Sequence, residues 1–231
     1  MIRMGKFNYT DKGNKRMKQI KVFSQSVLVV IWFYAVSLIG GSLVNFLSHD
    51  PVQFVERHSH LLNVLCYITI FLGIYVVDHH KTELIEELKP RSIKLVLSYI
   101  VMGLGSYIIG TILVGLLISI FPEYEEINQT FTAYEPILRF VGMVILPPLV
   151  EEYLFREKIQ GYLKEGFGLP VALVGQALLF GGLHYYMVQK IYATVLGLIF
   201  GIIKEKKGLC ATVWMHMTVN FIGWLMGTLI N

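Results

Sequence analysis

Two adjacent carboxylates, Glu151 and Glu152, follow a long apolar stretch and stand just before Arg156. Ionisable side chains inside lipid-spanning segments cost about 2.5–3.5 kcal/mol each on insertion scales, so they are functional candidates by default. Glu152 and Arg156 are four residues apart and can pair on one helix face, whereas Glu151 must point elsewhere. A carboxylate in such a low-dielectric position suits a general base acting on water. The alternative is that the acidic pair only marks a helix end.

Two histidines lie in other apolar segments, each within a polar stripe. His184 follows Phe180 by four residues, and Gln176 stands one turn earlier; His216 precedes Asn220 by four residues. Residues at this spacing share a helix face, so both stripes are expected to face the interior of a helix bundle. Each stripe taken singly could be a set of interhelical hydrogen bonds.

The expected depths of these groups bring them together. At a rise of about 1.5 Å per residue from the cytoplasmic helix ends, His216 lies about 12 Å deep, Glu151 about 15–18 Å and His184 about 21 Å. Three helices can therefore place two carboxylates, two histidines and an asparagine in one buried cavity.

These patterns resemble the motifs EExxxR, FxxxH and HxxxN of the CPBP family of intramembrane proteases. That family includes the CAAX prenyl endopeptidases and the bacteriocin-processing or immunity proteins, also called the Abi family. The motifs are Glu151-Glu152…Arg156, Phe180…His184 and His216…Asn220, within residues 137–231. Earlier residues match the family only in being membrane-spanning.

The resemblance implies roles for the motif residues. Glu151 and His184 would hold and deprotonate a water molecule, while His216 and Asn220 would donate hydrogen bonds to the oxyanion. The residues that position these catalytic groups would be Glu152, Arg156 and Phe180.

A zinc site is the alternative for the cofactor, because Glu151, His184 and His216 are possible ligands. The sequence has no His-x-x-x-His pair that would give two ligands from one of these helices. We therefore expect water activated by a glutamate, with no obligatory metal.

The expected function is that of an intramembrane endopeptidase that cleaves a small peptide or membrane-associated precursor, such as a pheromone or a bacteriocin leader. A non-catalytic immunity or regulatory protein that binds a partner is the alternative. A proton-coupled transporter is a third reading, since buried Glu and His also form proton relays. The two halves of the chain, however, show no inverted repeat of the kind that many transporters have.

The elements that must position these residues are lipid-spanning helices. Of the 231 residues, 55% are hydrophobic and only 16% are charged, and the apolar residues form long runs that can satisfy their backbone hydrogen bonds in lipid only as helices. The pattern predicts an all-α transmembrane bundle of about seven spans (six to eight), with the catalytic helices in the C-terminal half and a short sixth span. The runs lie at about 22–47, 61–77, 95–121, 137–163, 170–188, 191–203 and 208–230.

Local signals add detail to these helices. Pro147-Pro148 is expected to kink or break the fourth span just before the acidic pair. Gly197 and Gly201 are a small-xxx-small pair, which allows close helix approach.

Charge predicts the orientation. Residues 1–21 form a basic tail, which we expect to lie in the cytoplasm against anionic lipid headgroups. Residues 22–231 are expected to form a single transmembrane domain, with its catalytic core at about 137–231. We expect a multi-pass protein of the cell membrane of a bacterial host.

Nucleic-acid binding is not expected, because no nucleic-acid-binding domain accompanies the tail. The oligomeric state does not follow from the sequence. The basic residues of the tail are Arg3, Lys6, Lys12, Lys15, Arg16, Lys18 and Lys21.

Overall fold

All the secondary structure described is helical, which confirms the predicted fold class. The structure is a computed structural model that describes residues 51–77, 86–121 and 136–229 and individual positions between 17 and 46. Most of the basic tail and the acidic connection at 122–135 lie outside these residues. The helices are α1 (Pro51–Val77), α2 (Ile93–Ile118), α3 (Pro136–Phe140), α4 (Leu146–Glu152), α5 (Gln160–Phe167), α6 (Leu169–Gly182), α7 (Met187–Lys207) and α8 (Leu209–Leu229), with π-helical segments at Val141–Ile145 and Tyr153–Ile159.

Within the described ranges, three helices are long and apolar enough to cross a membrane: α2, α7 and α8. Shorter apolar helical stretches are α6 and the His60–Gly73 part of α1. Apolar side chains on α2, such as Leu97 and Val101, point away from the protein, as contact with lipid requires. The chain is a helical membrane protein, while its seven-span topology stays a prediction.

Three predicted helix boundaries are wrong. The sixth span is not short, because α7 has 21 residues. The fifth does not reach residue 188, because α6 ends at Gly182 after 14 residues. Two consecutive glycines, Gly181 and Gly182, weaken the helix there. The sequence around them stays apolar, so hydropathy does not indicate where the helix ends. The second begins at Pro51, ten residues earlier than the apolar run suggested.

The double proline does not break its helix. The backbone is helical from α3 through α5, and the π-helical segment Val141–Ile145 comes directly before the prolines. Pro147 and Pro148 occupy the first turn of α4, where the missing N–H groups are tolerated. The predicted distortion is therefore present as a local widening of the helix.

Helices α6 and α7 pack closely at the two predicted glycines. A Cβ atom at Gly197 would lie 3.1 Å from the Cα of Ala177, and one at Gly201 would lie 2.5 Å from Nε2 of Gln176. Both distances are shorter than ordinary van der Waals contacts. The absence of side chains at these positions thus makes room for Gln176 between the helices.

Two similar glycine turns lie on one face of the bundle. Gly168 between α5 and α6 has φ 87° and Gly208 between α7 and α8 has φ 83°, values that favour glycine. An ion pair between Lys164 and Glu205 links the two turns. The amide of Gln19 also donates to the Gly166 carbonyl at 3.2 Å. The end of the basic tail and both lysine-rich turns therefore share one side of the molecule.

Candidate active site

A buried carboxylate, Glu152, connects the first and third motifs. Its Oε2 lies 3.2 Å from Nε of Arg156, so the predicted pair four residues apart is present. Its Oε1 lies 2.9 Å from Nδ1 of His216. Since a carboxylate accepts, Nδ1 of His216 carries the proton and Nε2 of the neutral ring is an acceptor. Glu152 thus orients His216, a contact that sequence spacing did not predict.

The second carboxylate, Glu151, points away from Arg156 as predicted. Its Oε1 accepts a hydrogen bond of 2.5 Å from the hydroxyl of Tyr67 on α1. Its Oε2 lies 3.9 Å from Nε2 of His216. Glu151 is therefore held between a tyrosine on α1 and a histidine on α8.

His184 lies just beyond the C-terminal end of α6, in the turn before α7, and not inside a helix as predicted. Its Nδ1 is 3.0 Å from the carbonyl oxygen of Phe180. A carbonyl oxygen can only accept, so Nδ1 carries the proton and Nε2 of the neutral ring is an acceptor. The glycines that end α6 thus place this imidazole on an irregular segment, where its ring is fixed by one backbone hydrogen bond.

The ring of Phe180 packs between the charged and imidazole groups. Its centroid lies 5.2 Å from that of His184 and 6.0 Å from that of His216, both edge to face. The guanidinium of Arg156 lies 4.6 Å from the same centroid, within the range of a cation–π contact. Phe180 therefore separates the two histidines and covers the Glu152–Arg156 pair.

Buried glutamines extend this polar layer. Nη1 of Arg156 donates to Oε1 of Gln176 at 2.8 Å, and Nε2 of Gln176 donates to the carbonyl of Gly197 at the same distance. Gln160 donates to the carbonyl of Gly201 and to Glu205. The polar contacts near the site therefore tie the π-helical segment Tyr153–Ile159 to α6 and α7.

The last motif residue, Asn220, has a backbone partner. Its Nδ2 donates to the carbonyl of Met143 at 2.8 Å. In an α-helix the donor to that carbonyl would be residue 147, and in a π-helix residue 148, but both are prolines without an N–H. Asn220 therefore supplies the hydrogen bond that the double proline removes.

The neighbouring carbonyl is satisfied in the same way from the other side. Nδ2 of Asn63 on α1 donates to the carbonyl of Gly142 at 2.8 Å. The N–H of Leu146 bonds to Val141, and the next residue is Pro147. Two asparagines on separate helices thus stabilise the π-helical segment that leads to the acidic pair.

Glu151 and His184 both line one partly enclosed cavity of about 270 Å³. The walls come from α1, α4 and α6, so the two catalytic candidates face the same space. The remaining lining residues are Phe33, Asn63, Cys66, Tyr67, Ile70, Phe180 and Leu183.

The zinc alternative stays a prediction. No group of three or more His, Cys, Asp and Glu side chains within the described ranges is placed to hold a metal ion. Nδ1 of His184 and Nδ1 of His216 each have a protein oxygen as partner, which leaves Nε2 of each ring and Oε2 of Glu151 as the atoms that could bind a metal. We derive no chemical step through a metal.

Two residues of the site, Asn63 and Tyr67, were not among the sequence candidates. Both are neutral, whereas the sequence candidates were centred on ionisable groups, which are costly in lipid. They are four residues apart in an otherwise apolar stretch of α1, the same spacing that identified the other polar stripes. A search for neutral polar pairs would have found them.

The comparison with known families agrees with the motifs. The family model described as type II CAAX prenyl endopeptidase Rce1-like matches residues 133–222. This segment is Rce1-like. The match confirms the resemblance to the CAAX protease family and, at the level of the family, supports an intramembrane peptidase. It covers less than half of the chain and excludes α1. No curated protein and no solved structure is significantly similar to the chain.

Proposed function

We propose that this protein is an intramembrane endopeptidase that uses Glu151 and His184 to activate a water molecule. The observation that carries the proposal is the position of the Glu151 carboxylate in a cavity shared with His184, 3.9 Å from Nε2 of His216. Nε2 of neutral His184 is an acceptor, so glutamate and histidine can both accept protons from water. A positioned general base contributes about 10²–10⁴-fold to a rate.

Two further motif residues support this chemistry through orientation and charge. Glu152 fixes the tautomer and orientation of His216, and Arg156 balances the charge of Glu152. The oxyanion roles of His216 and Asn220 stay predictions, and Asn220 also bonds to the Met143 carbonyl. The proposed mechanism needs no metal.

The proposed substrate is a small peptide or a membrane-associated precursor. The matching family model is named for endopeptidases acting on prenylated CAAX sequences, while the wider family resemblance includes bacteriocin processing. Both substrate types are peptides presented at a membrane, and we propose that class.

The experiment uses purified full-length protein in detergent with two peptide libraries, one unmodified and one carrying farnesylated C-terminal cysteine motifs. Mass spectrometry compares the products of wild type, Glu151→Gln, His184→Ala and the control Glu157→Gln. Glu157 is a carboxylate that pairs with Lys204 away from the cavity. Wild type and Glu157→Gln should give the same products, and the other two variants at least about 100-fold less.

Two outcomes would count against this proposal. Products that all four proteins generate equally would remove the catalytic role of Glu151. A wild type that cleaves neither library, yet binds a membrane partner, would support the non-catalytic alternative. A separate assay with a metal chelator tests the cofactor: activity should persist, and a loss that zinc restores would contradict the metal-free mechanism.

A further inference from the structure

Glu151 and His184 at the cavity, and His216 beside them, are motif residues that can accept hydrogen bonds. The Glu151 carboxylate is an acceptor through either oxygen, and Oε1 accepts from Tyr67. Nδ1 of His184 faces the Phe180 carbonyl and Nδ1 of His216 faces Glu152, so each of these nitrogens carries a proton. In the neutral form of either ring, Nε2 is therefore an acceptor. Such groups can take protons from water, but an oxyanion needs donors.

The donor expected from the sequence, Asn220, gives one of its two amide hydrogens to the backbone. Its amide nitrogen bonds to the Met143 carbonyl, and that of Asn63, which lines the cavity, bonds to Gly142. Moving either amide would leave a buried carbonyl unsatisfied, at a cost of about 1–3 kcal/mol, so only the second hydrogen of each amide could reach an oxyanion.

Tyr67 lines the cavity and aims its hydroxyl hydrogen at the Glu151 carboxylate, 2.5 Å away. Its ring is fixed against Phe33, with centroids 6.3 Å apart. The hydroxyl hydrogen can still rotate about the Cζ–O bond without moving the ring. A donor therefore lies beside the general base, where the substrate carbonyl must come for attack.

We propose that Tyr67 is a catalytic residue that donates a hydrogen bond to the oxyanion. The inference rests on the proposed peptidase function. When Glu151 takes a proton from water, the water oxygen bonds to the scissile carbon and the C=O π electrons move onto the carbonyl oxygen. Protonated Glu151 is a weaker acceptor than the carboxylate, so the Tyr67 hydroxyl turns to the new oxyanion.

The breakdown of this tetrahedral intermediate needs no further reactant. The oxyanion re-forms the C=O bond, the C–N bond breaks, and the proton held by Glu151 passes to the leaving amine. Tyr67 keeps its own proton throughout. The proton transfer that creates the oxyanion thus also frees the donor that stabilises it.

The test uses a peptide that wild type cleaves in a Glu151-dependent manner. The compared variants are Tyr67→Phe, which removes only the hydroxyl, and the control Tyr99→Phe, which changes a buried tyrosine of α2. Tyr67→Phe should lower kcat by about 10²–10³-fold, the usual effect of one lost oxyanion donor, with KM nearly unchanged. Tyr99→Phe should retain wild-type kinetics.

A second readout separates oxyanion stabilisation from positioning of Glu151. The scissile amide of the same peptide is replaced by a phosphinate, whose tetrahedral oxygens imitate the oxyanion. Tyr67→Phe should weaken phosphinate binding by the same factor as kcat/KM, because a transition-state interaction has been lost.

Wild-type kcat in Tyr67→Phe would overturn the inference and leave the peptidase proposal intact. A lower kcat with unchanged phosphinate affinity would also overturn it, because Tyr67 would then act only through Glu151. If wild type shows no Glu151-dependent cleavage of any peptide, the proposed function itself has failed, and this inference with it.

Discussion

At the scale of single residues, Glu152 and Arg156 form a buried ion pair, with Oε2 and Nε 3.2 Å apart. Both side chains are inaccessible to solvent. Nη2 of Arg156 has no hydrogen-bond partner in the described structure, so the guanidinium depends on Glu152, Gln176 and the Phe180 ring. Charges buried in this way are tolerated only when they remain paired.

We therefore predict that Glu152→Ala destabilises the protein by about 3–5 kcal/mol, because it leaves the Arg156 charge buried and unpaired. Thermal unfolding in detergent measures this. The control Glu157→Ala breaks a partly exposed pair with Lys204 and should cost under about 1 kcal/mol. Equal melting temperatures for the two variants would contradict the prediction.

What the sequence could predict about these residues depended on distance along the chain. The Glu152–Arg156 pair followed from helical spacing, because its members are one turn apart. The Glu152–His216 contact joins residues 64 positions apart, and no spacing rule shows which carboxylate a distant histidine will meet. Tyr67 was not predicted for a different reason. The free energy of inserting a neutral side chain into lipid is small, so such a residue does not stand out as a functional candidate.

At the scale of helices, the π-helical segment before the double proline determines how α4 presents the acidic pair. The carbonyls of Gly142 and Met143 lose their normal donors there, and α1 and α8 replace them through Asn63 and Asn220. The prolines predicted a distortion correctly. They could not predict its type, because the type depends on partners from other helices.

A double-mutant cycle can test this account. Asn220→Ala should destabilise the protein by about 1–3 kcal/mol, because the buried Met143 carbonyl loses its donor. Pro148→Ala restores an N–H that can reach this carbonyl in π-helical register. The double variant should therefore melt at a higher temperature than Asn220→Ala alone. Additive destabilisation by the two changes would show that the carbonyl is not the shared partner.

The end of α6 shows a further limit of sequence patterns. An apolar run continues through the turn after Gly182, so hydropathy alone extended the helix and placed His184 inside it. The glycine pair was visible, but glycines are common at helix contacts in membranes. The structure shows both roles, because α6 ends at Gly182 and a Cβ at Gly181 would lie 2.5 Å from the Lys190 carbonyl oxygen on α7.

At the scale of the whole molecule, contacts between separate segments support the predicted distribution of basic charge. The Lys164–Glu205 ion pair and the Gln19–Gly166 hydrogen bond place two lysine-rich turns beside the end of the basic tail. By the positive-inside rule we predict that this shared side faces the cytoplasm.

We predict that Lys164→Cys and Lys206→Cys react with a membrane-impermeant maleimide from the same side of the membrane. Inverted vesicles should label both and intact cells neither. The parent protein, which keeps the native Cys66 and Cys210, gives the background labelling. Labelling of the two positions from opposite sides would contradict the arrangement of the turns.

Helix α1 contributes Tyr67 to the site but lies outside the Rce1-like segment. Evolution can therefore change this tyrosine while leaving all three motifs untouched. If Tyr67 donates to the oxyanion as proposed, a homologue with intact motifs and phenylalanine at the equivalent position would keep its fold but lose most of its turnover. The identity of one α1 residue would then help genome annotators to separate working hydrolases from pseudoenzymes.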